Sequence, residues 1–244
     1  MSNGLFITGT DTDAGKTVVA AGILKLLREK GVDAVPVKPI QTGGIPSSDG
    51  LLASDLEFSL ATAGINPNQD EKKLMAPYVY NPACSPHLAG RLAQAYPELS
   101  KINDCIQKLL QDHQAVVVEG AGGIMVPLNE TKTMLDLMKT LEYPVVLVSR
   151  LGLGTINHTL LSVQALQNAG LNLIGVVFCR TQASQPGNEF IEEDNPKTIA
   201  QFGTVKVLGN IRYIPDLDAS DDKVWQCFEQ DLPGFENILE VMGE

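Results

Sequence analysis

The sequence predicts an α/β fold: a doubly wound, mostly parallel sheet of the P-loop NTPase fold. Three observations predict it. Short, nearly all-apolar runs alternate with amphipathic ones, the pattern of strands buried on both faces between crossover helices. A glycine-rich stretch ending in Gly15, Lys16 and Thr17 separates the first apolar run from the first helical one. The residues able to do chemistry fall just after apolar runs, where ligands bind in open parallel sheets.

The first strand is expected at 5–8 (LFIT). A helix follows from Lys16 to Lys30, with Val19, Ile23, Leu26 and Leu27 on one stripe and Gly31 as its stop. AVPV (34–37) is the second strand, and Thr42 to Gly50, rich in Gly, Pro and Ser, is expected to be a loop. Ser85 and Pro86 suit an N-cap and first-turn proline, opening a helix through about Tyr96; another covers about Leu99 to Asp112. AVVV (115–118) and VVLV (145–148) are strands, and Thr155 to Ala169 is a helix stopped at Gly170. LIGVVF (173–178) and VKVLG (205–209) complete the sheet, with a polar loop expected from Thr181 to Asn195 among Pro186, Gly187 and Pro196. No internal repeat or low-complexity tail stands out, and one domain over 1–244 is the expectation.

Composition narrows the partners. With 44% hydrophobic residues and a formal charge of -11, the chain suits a soluble protein and argues against nucleic acid or an anionic membrane. An anionic ligand would need cations placed locally. Four cysteines, Cys84, Cys105, Cys179 and Cys227, show no C-x-x-C pair or metal-ligand spacing, so buried or free thiols in a reducing compartment are expected. With neither a targeting segment nor an apolar run of membrane-spanning length, the cytoplasm is the expected location.

The stretch GTDTDAGKT (9–17) carries most of the chemistry. Backbone N–H groups at a helix start face an anion, Lys16 neutralises phosphate oxygens, and the Thr17 hydroxyl suits Mg²⁺. The usual motif has four residues between its glycines; five lie between Gly9 and Gly15. Asp11 and Asp13 are unusual beside an anion. They either cap turns or face a cation sharing the site, whether Mg²⁺ or a positively charged substrate such as a diamine.

Other strand ends add to this group. Lys38 can stabilise charge on a transferred phosphoryl group or hold a carboxylate-like acceptor, and Thr42 lines the same mouth. Asp55 either caps a helix or binds metal. Glu119 ends AVVVE before four small residues, the position from which an acid reaches the Mg²⁺ of a phosphate loop. GLGTINH (152–158) opens a helix after glycines, a second place for an anion such as a carboxylate. His87 and His158 lack a third ligand at metal spacing, which argues against zinc.

Assembled, these motifs resemble those of the dethiobiotin synthetases, the ATP-dependent carboxylating and ring-closing enzymes of biotin synthesis. GTDTDAGKT, KPIQTG (38–43), Ser54-Asp55, SPHLA (85–89), VEGAGG (118–123) and GLGTINH occur in the family's order and spacing over nearly the whole chain. The extra loop residue is a family trait. The resemblance implies a homodimer that joins 7,8-diaminononanoate and CO2 at the expense of MgATP, giving dethiobiotin, ADP and phosphate. An amine would capture CO2 as a carbamate, that carbamate would accept the γ-phosphoryl group, and the second amine would attack the resulting mixed anhydride and close the ureido ring.

The resemblance also implies roles. Lys38 takes the catalytic-lysine position beside Lys16, and Thr17, Asp55 and Glu119 hold Mg²⁺. Nucleotide contacts fall on Asp13, Ala14, Gly15, Lys16, Thr17 and Val18, on Asp55 and Glu119, and on Gly120, Ala121 and Gly122. Thr12 and Thr42 match substrate positions, and Gly154, Thr155, Ile156 and Asn157 would grip the substrate carboxylate from the partner subunit. The base end falls on Cys179, Arg180, Arg212 and Tyr213, where the chain departs from the family. Cys179 and Arg180 stand in place of an Asn-Asp pair that reads adenine, and GNIRYIP (209–215) puts Arg212 where proline is expected. A thiol lacks the paired donor and acceptor of an amide, so weakened adenine discrimination is expected.

Two other readings remain. A phosphate-loop ATPase switch of the partition or division type would use a second lysine early in the loop; Thr10 and Asp11 occupy that region. A catalytically silent nucleotide-binding module is argued against by Lys16, Thr17, Lys38 and Glu119.

Overall fold

The computed structural model describes residues 2–48, 50–183, 187 and 189–242. In chain order, β1 (Gly4–Gly9) leads through the glycine-rich loop into α1 (Lys16–Glu29) and β2 (Ala34–Val37). An excursion follows: β3 (Ile40–Thr42), β4 (Ile45–Ser47), β5 (Gly50–Leu52), α2 (Ser54–Ala63), α3 (Gln69–Met75), β6 (Tyr78–Tyr80) and α4 (Pro86–Leu92). The chain then resumes alternation with α5 (Leu99–Asp112), β7 (Ala115–Glu119), α6 (Met134–Leu141), β8 (Val145–Ser149) and α7 (Thr155–Asn168). It closes with β9 (Leu173–Cys179), α8 (Glu189–Gly203), β10 (Val207–Ile211), α9 (Asp222–Asp231) and α10 (Phe235–Met242).

Among the described residues the main sheet has the order β10-β9-β8-β1-β7-β2, and each neighbouring pair is parallel. The strand period of two splits the buried side chains between two cores. Phe6, Val116, Val118, Val145, Leu147, Val176 and Phe178 enter the core on one face. Leu5, Ile7, Val117, Val146, Val148, Val177 and Cys179 enter the other, against Ile23, Leu24 and Leu27 of α1 and Phe228 of α9. Burying one such aliphatic side chain contributes about 2 kcal/mol. The strand order reverses at β1, so the crevice at its C-terminal end is where a ligand is expected.

Most expected elements occur within a residue or two. Gly31 and Gly170 have φ of 88° and 71°, the left-handed stops that end α1 and α7. Four expectations are corrected. Residues 42–50 are not all loop, because β4 and β5 pair as an antiparallel hairpin; its side chains are largely exposed, so no apolar pattern marked it. The polar stretch 181–195 is helical from Glu189, and Pro196 lies inside α8; Pro186 lies outside the described residues. Asn195 explains the helix's docking, since it is buried and its Nδ2 donates to the Leu151 carbonyl at 2.6 Å. α4 stops at Leu92 rather than near Tyr96, because Gln94 adopts φ 53° and Tyr96 turns back over Gly90. The last sheet strand runs Val207–Ile211, two residues later than 205–209.

Candidate active site

Local backbone chemistry shapes the loop after β1. Gly15 has φ 95°, a conformation open to glycine, and a methyl group there would overlap the Cys179 side chain. Lys16 folds back over Gly9, where an added Cβ would sit 3.0 Å from Lys16 Cδ. The Lys16 ammonium donates to the Asp11 carbonyl at 2.6 Å. Burial and then the nearby Lys38 charge push its pKa down to about 8.

The two loop acids differ. Asp11 accepts the Thr12 N–H at 2.8 Å and faces Arg150 at 3.5 Å, so its carboxylate caps the turn and ties it to the end of β8. Asp13, at φ 57°, lines the cavity above the loop.

At the end of β2, Lys38 is 4% exposed. Its Nζ lies 2.6 Å from Asp55 Oδ2 and 2.7 Å from Glu119 Oε1, and donates to the Gly120 carbonyl at 3.3 Å. Thr17 Oγ1 donates to the same Glu119 Oε1 at 2.8 Å. Asp55 sits in the first turn of α2, whose approach is fixed by Gln41: the Asp55 N–H donates to Gln41 Oε1 at 3.3 Å. Burial alone would lower the Lys38 pKa, but the Glu119 and Asp55 carboxylates hold it above the ordinary ammonium value. Burial raises the Glu119 carboxyl, with Lys38 opposing it. Thr17, Asp55 and Glu119 together offer oxygen donors alone, the chemistry a hard divalent cation prefers. Three such donors fall short of the octahedral oxygen shell Mg²⁺ prefers, so a bound ion would take the rest from water or ligand oxygens.

These groups border one cavity of about 920 Å³. Thr12, Asp13, Gly15, Lys16, Thr17 and Val18 line it, as do Lys38, Thr42, Asp55, Glu119, Ala121 and Gly122. Ala14 is buried beneath the loop, and Gly120 takes part through its carbonyl. Sequence reasoning missed Gln41, Cys84 and Gln182, which line the same cavity. Only Gln41 left a trace, its place between Lys38 and Thr42 in KPIQTG.

A second cavity of about 420 Å³ adjoins the first and is lined by Cys179, Arg180, Arg150, Thr155 and Glu192. Burial pushes the Cys179 thiol up to about 12, leaving it neutral. Arg180 Nη2 lies 3.1 Å from Glu192. Arg212 is held by Asp231, with contacts of 2.7 and 2.6 Å from Nε and Nη2, and neither Arg212 nor the exposed Tyr213 lines either cavity.

α7 begins after Gly154, whose φ is 90°. Thr155 is buried, Ile156 half-buried and Asn157 exposed. This helix start is pinned by hydroxyls. Ser149 Oγ lies 2.9 Å from Thr155 Oγ1 and 2.6 Å from Thr159 Oγ1, and Thr155 Oγ1 donates to the Arg150 carbonyl at 2.5 Å. Gly154, Thr155, Ile156 and Asn157 lie outside the larger cavity.

Comparison with known proteins adds context. Residues 3–221 match a family described as an AAA domain. "ATP-dependent dethiobiotin synthetase BioD" of Halalkalibacterium halodurans is 38% identical over 222 residues, covering 90% of this chain and 89% of that protein. The protein of the same name from Clostridium novyi is 38% identical, covering 88% and 90%. That of Clostridium kluyveri is 30% identical over 248 residues, covering all of both chains. Among solved structures, the septum site-determining protein MinD of Pyrococcus horikoshii with Mg-ADP aligns with a TM-score of 0.54 at 16% identity, over 100% of this chain and 91% of that one. The MinC:MinD complex of Aquifex aeolicus gives 0.55 at 12%, over 99% and 94%. At such identities the structural likeness shows a shared phosphate-loop NTPase fold and nothing finer.

Proposed function

Because this chain belongs to the dethiobiotin synthetase family, we propose that it uses MgATP to join CO2 to 7,8-diaminononanoate and close the ureido ring, releasing dethiobiotin, ADP and phosphate. The observation carrying this reading is the convergence of Lys16, Lys38, Thr17, Asp55 and Glu119 on one large cavity beyond β1. It is joined to relatives that share 30–38% of their residues over most of the chain.

The residues divide the work. The backbone of Asp13, Ala14, Gly15, Lys16, Thr17 and Val18 wraps the nucleotide phosphates at the start of α1. Gly120, Ala121 and Gly122 let the ligand approach the main chain. Thr17, Asp55 and Glu119 would hold Mg²⁺, which when bound offsets charge on the phosphate oxygens. One substrate amine captures CO2 as a carbamate, whose oxygen attacks the γ-phosphorus as ADP leaves. The second amine attacks the carbonyl of that mixed anhydride, the C–N bond forms, and phosphate leaves. Lys38 and Lys16 stabilise the carbamate and phosphoryl oxygens, so positioning and charge suffice and no protein nucleophile is needed. With a pKa near 8, Lys16 remains mostly cationic at neutral pH. Thr12 and Thr42 contact the diamine, and Asp13 tempers the positive charge around it.

In this reading the working unit is a cytoplasmic homodimer, in which Gly154, Thr155, Ile156 and Asn157 of one subunit grip the substrate carboxylate in the other. Cys179, Arg180, Arg212 and Tyr213 are assigned to the base end. No specific observation favours the partition-type switch, whose structural likeness reaches only the fold.

The test is direct. Incubation with MgATP, bicarbonate and 7,8-diaminononanoate should release phosphate only with the diamine, one ureido product forming per phosphate. Diamine-independent phosphate release, or none, overturns the reading.

A further inference from the structure

A cation already stands between Asp55 and Glu119, and it belongs to the protein. Lys38 Nζ contacts Asp55 Oδ2 at 2.6 Å and Glu119 Oε1 at 2.7 Å, and the second of these oxygens is the one that accepts from Thr17. The lysine is 4% exposed and Glu119 equally so, so water screens neither. The oxygens that satisfy the ammonium are those assigned above to a divalent metal, on which this inference rests. Asp55 is half-buried, but Glu119 is buried, and an ammonium and a doubly charged ion crowded onto its one carboxylate repel each other most where the surroundings are least polar.

We propose that Lys38 is a resident counter-cation that the divalent metal displaces, and that this displacement delivers its ammonium to the phosphoryl acceptor. Without metal, Lys38 neutralises the buried Glu119 and the half-buried Asp55, which would otherwise lack this ion-pair partner. The same contacts keep it from any substrate. When the metal takes Thr17, Asp55 and Glu119, the ammonium loses its partners and turns into the cavity that Lys38 already lines. Its flexible stem makes that turn without backbone movement. The metal thereby arms the lysine, and a carbamate arriving before the metal meets a lysine already engaged.

The test uses Mn²⁺ alone, followed by electron paramagnetic resonance, on the wild type, Lys38→Met and Lys38→Met/Glu119→Gln. Removing the competing ammonium should tighten Mn²⁺ binding at least about tenfold in Lys38→Met, and the added Glu119→Gln should abolish that gain. Unchanged or weaker binding to Lys38→Met overturns displacement. The underlying metal assignment is tested separately with ADP present: if Glu119→Gln binds Mn²⁺ and ADP as the wild type does, the assignment itself fails. Should Lys38→Met not fold, the wild type labelled with ¹⁵N-lysine decides. Its Lys38 ammonium signal, identified by contacts to Glu119, should move on adding Mg²⁺ with ADP and stay still on adding ADP with chelator. A signal that stays still in both overturns the proposal.

Discussion

Lys38 and Glu119 are set side by side by strand register. Val37 pairs with Val118 in the parallel ladder of β2 and β7, so the next residue of each strand supplies one half of a 2.7 Å ion pair. The pair is therefore a product of the sheet.

Lys38→Ala should lower kcat by about 10²–10³-fold, the loss typical of removing one charge-stabilising donor, while the phosphate loop keeps its nucleotide. It should also destabilise the protein by about 3–5 kcal/mol, because Glu119 and Asp55 are left without their cation. Single-turnover kinetics, calorimetric titration with ADP and urea unfolding check the three parts. A variant with wild-type turnover would remove Lys38 from the chemistry.

The base end predicts weak discrimination among nucleotides. With a neutral thiol at Cys179 and Arg180 facing Glu192, kcat/KM for ATP should exceed that for CTP or GTP by less than about a hundredfold. The comparison is made at saturating diamine, and a larger ratio refutes it.

His113 should make stability depend on pH. Its Nδ1 and Nε2 lie 2.9 Å from Asp33 and from Glu71, and Arg28 also faces Asp33. Burial lowers its pKa, but hydrogen bonds to the two acids more than offset this, so the folded value lies above the ordinary imidazole value of about 6.5. The stabilisation is thus fully present below that ordinary value and is lost as pH rises through the folded value. His113→Gln should cost about 1 kcal/mol at pH 6 and progressively less toward pH 8, measured by urea unfolding. A cost independent of pH would contradict the assignment.

Thr204 adopts φ 47° just after α8 on an exposed position, a strained conformation for a β-branched residue. Thr204→Gly should stabilise the protein by about 1 kcal/mol, strain relief outweighing the added freedom of the unfolded chain. A lower denaturation midpoint would rule this out.

The parallel sheet was legible because each strand is apolar on both faces, and Gly31 and Gly170 marked helix ends by the conformation they alone adopt cheaply. The chemistry at the strand ends was legible for the same reason: Lys38 and Glu119 interrupt apolar runs. What stayed hidden depends on distant partners. Nothing local to Asn195 announces its bond to the Leu151 carbonyl, so its helix read as loop. Gln41 acts through Asp55, fourteen residues on, and the β4–β5 hairpin buries too little to leave a pattern.

The hydroxyls of Ser149, Thr155 and Thr159 have a consequence for how such chains diverge. Each is buried, and each is satisfied chiefly by the other two and the Arg150 carbonyl. Losing one strands its neighbours in a dry interior at about 1–3 kcal/mol, whereas replacing all three by apolar groups of similar shape is nearly neutral. Lineages should therefore keep the trio or discard it whole, with few surviving intermediates.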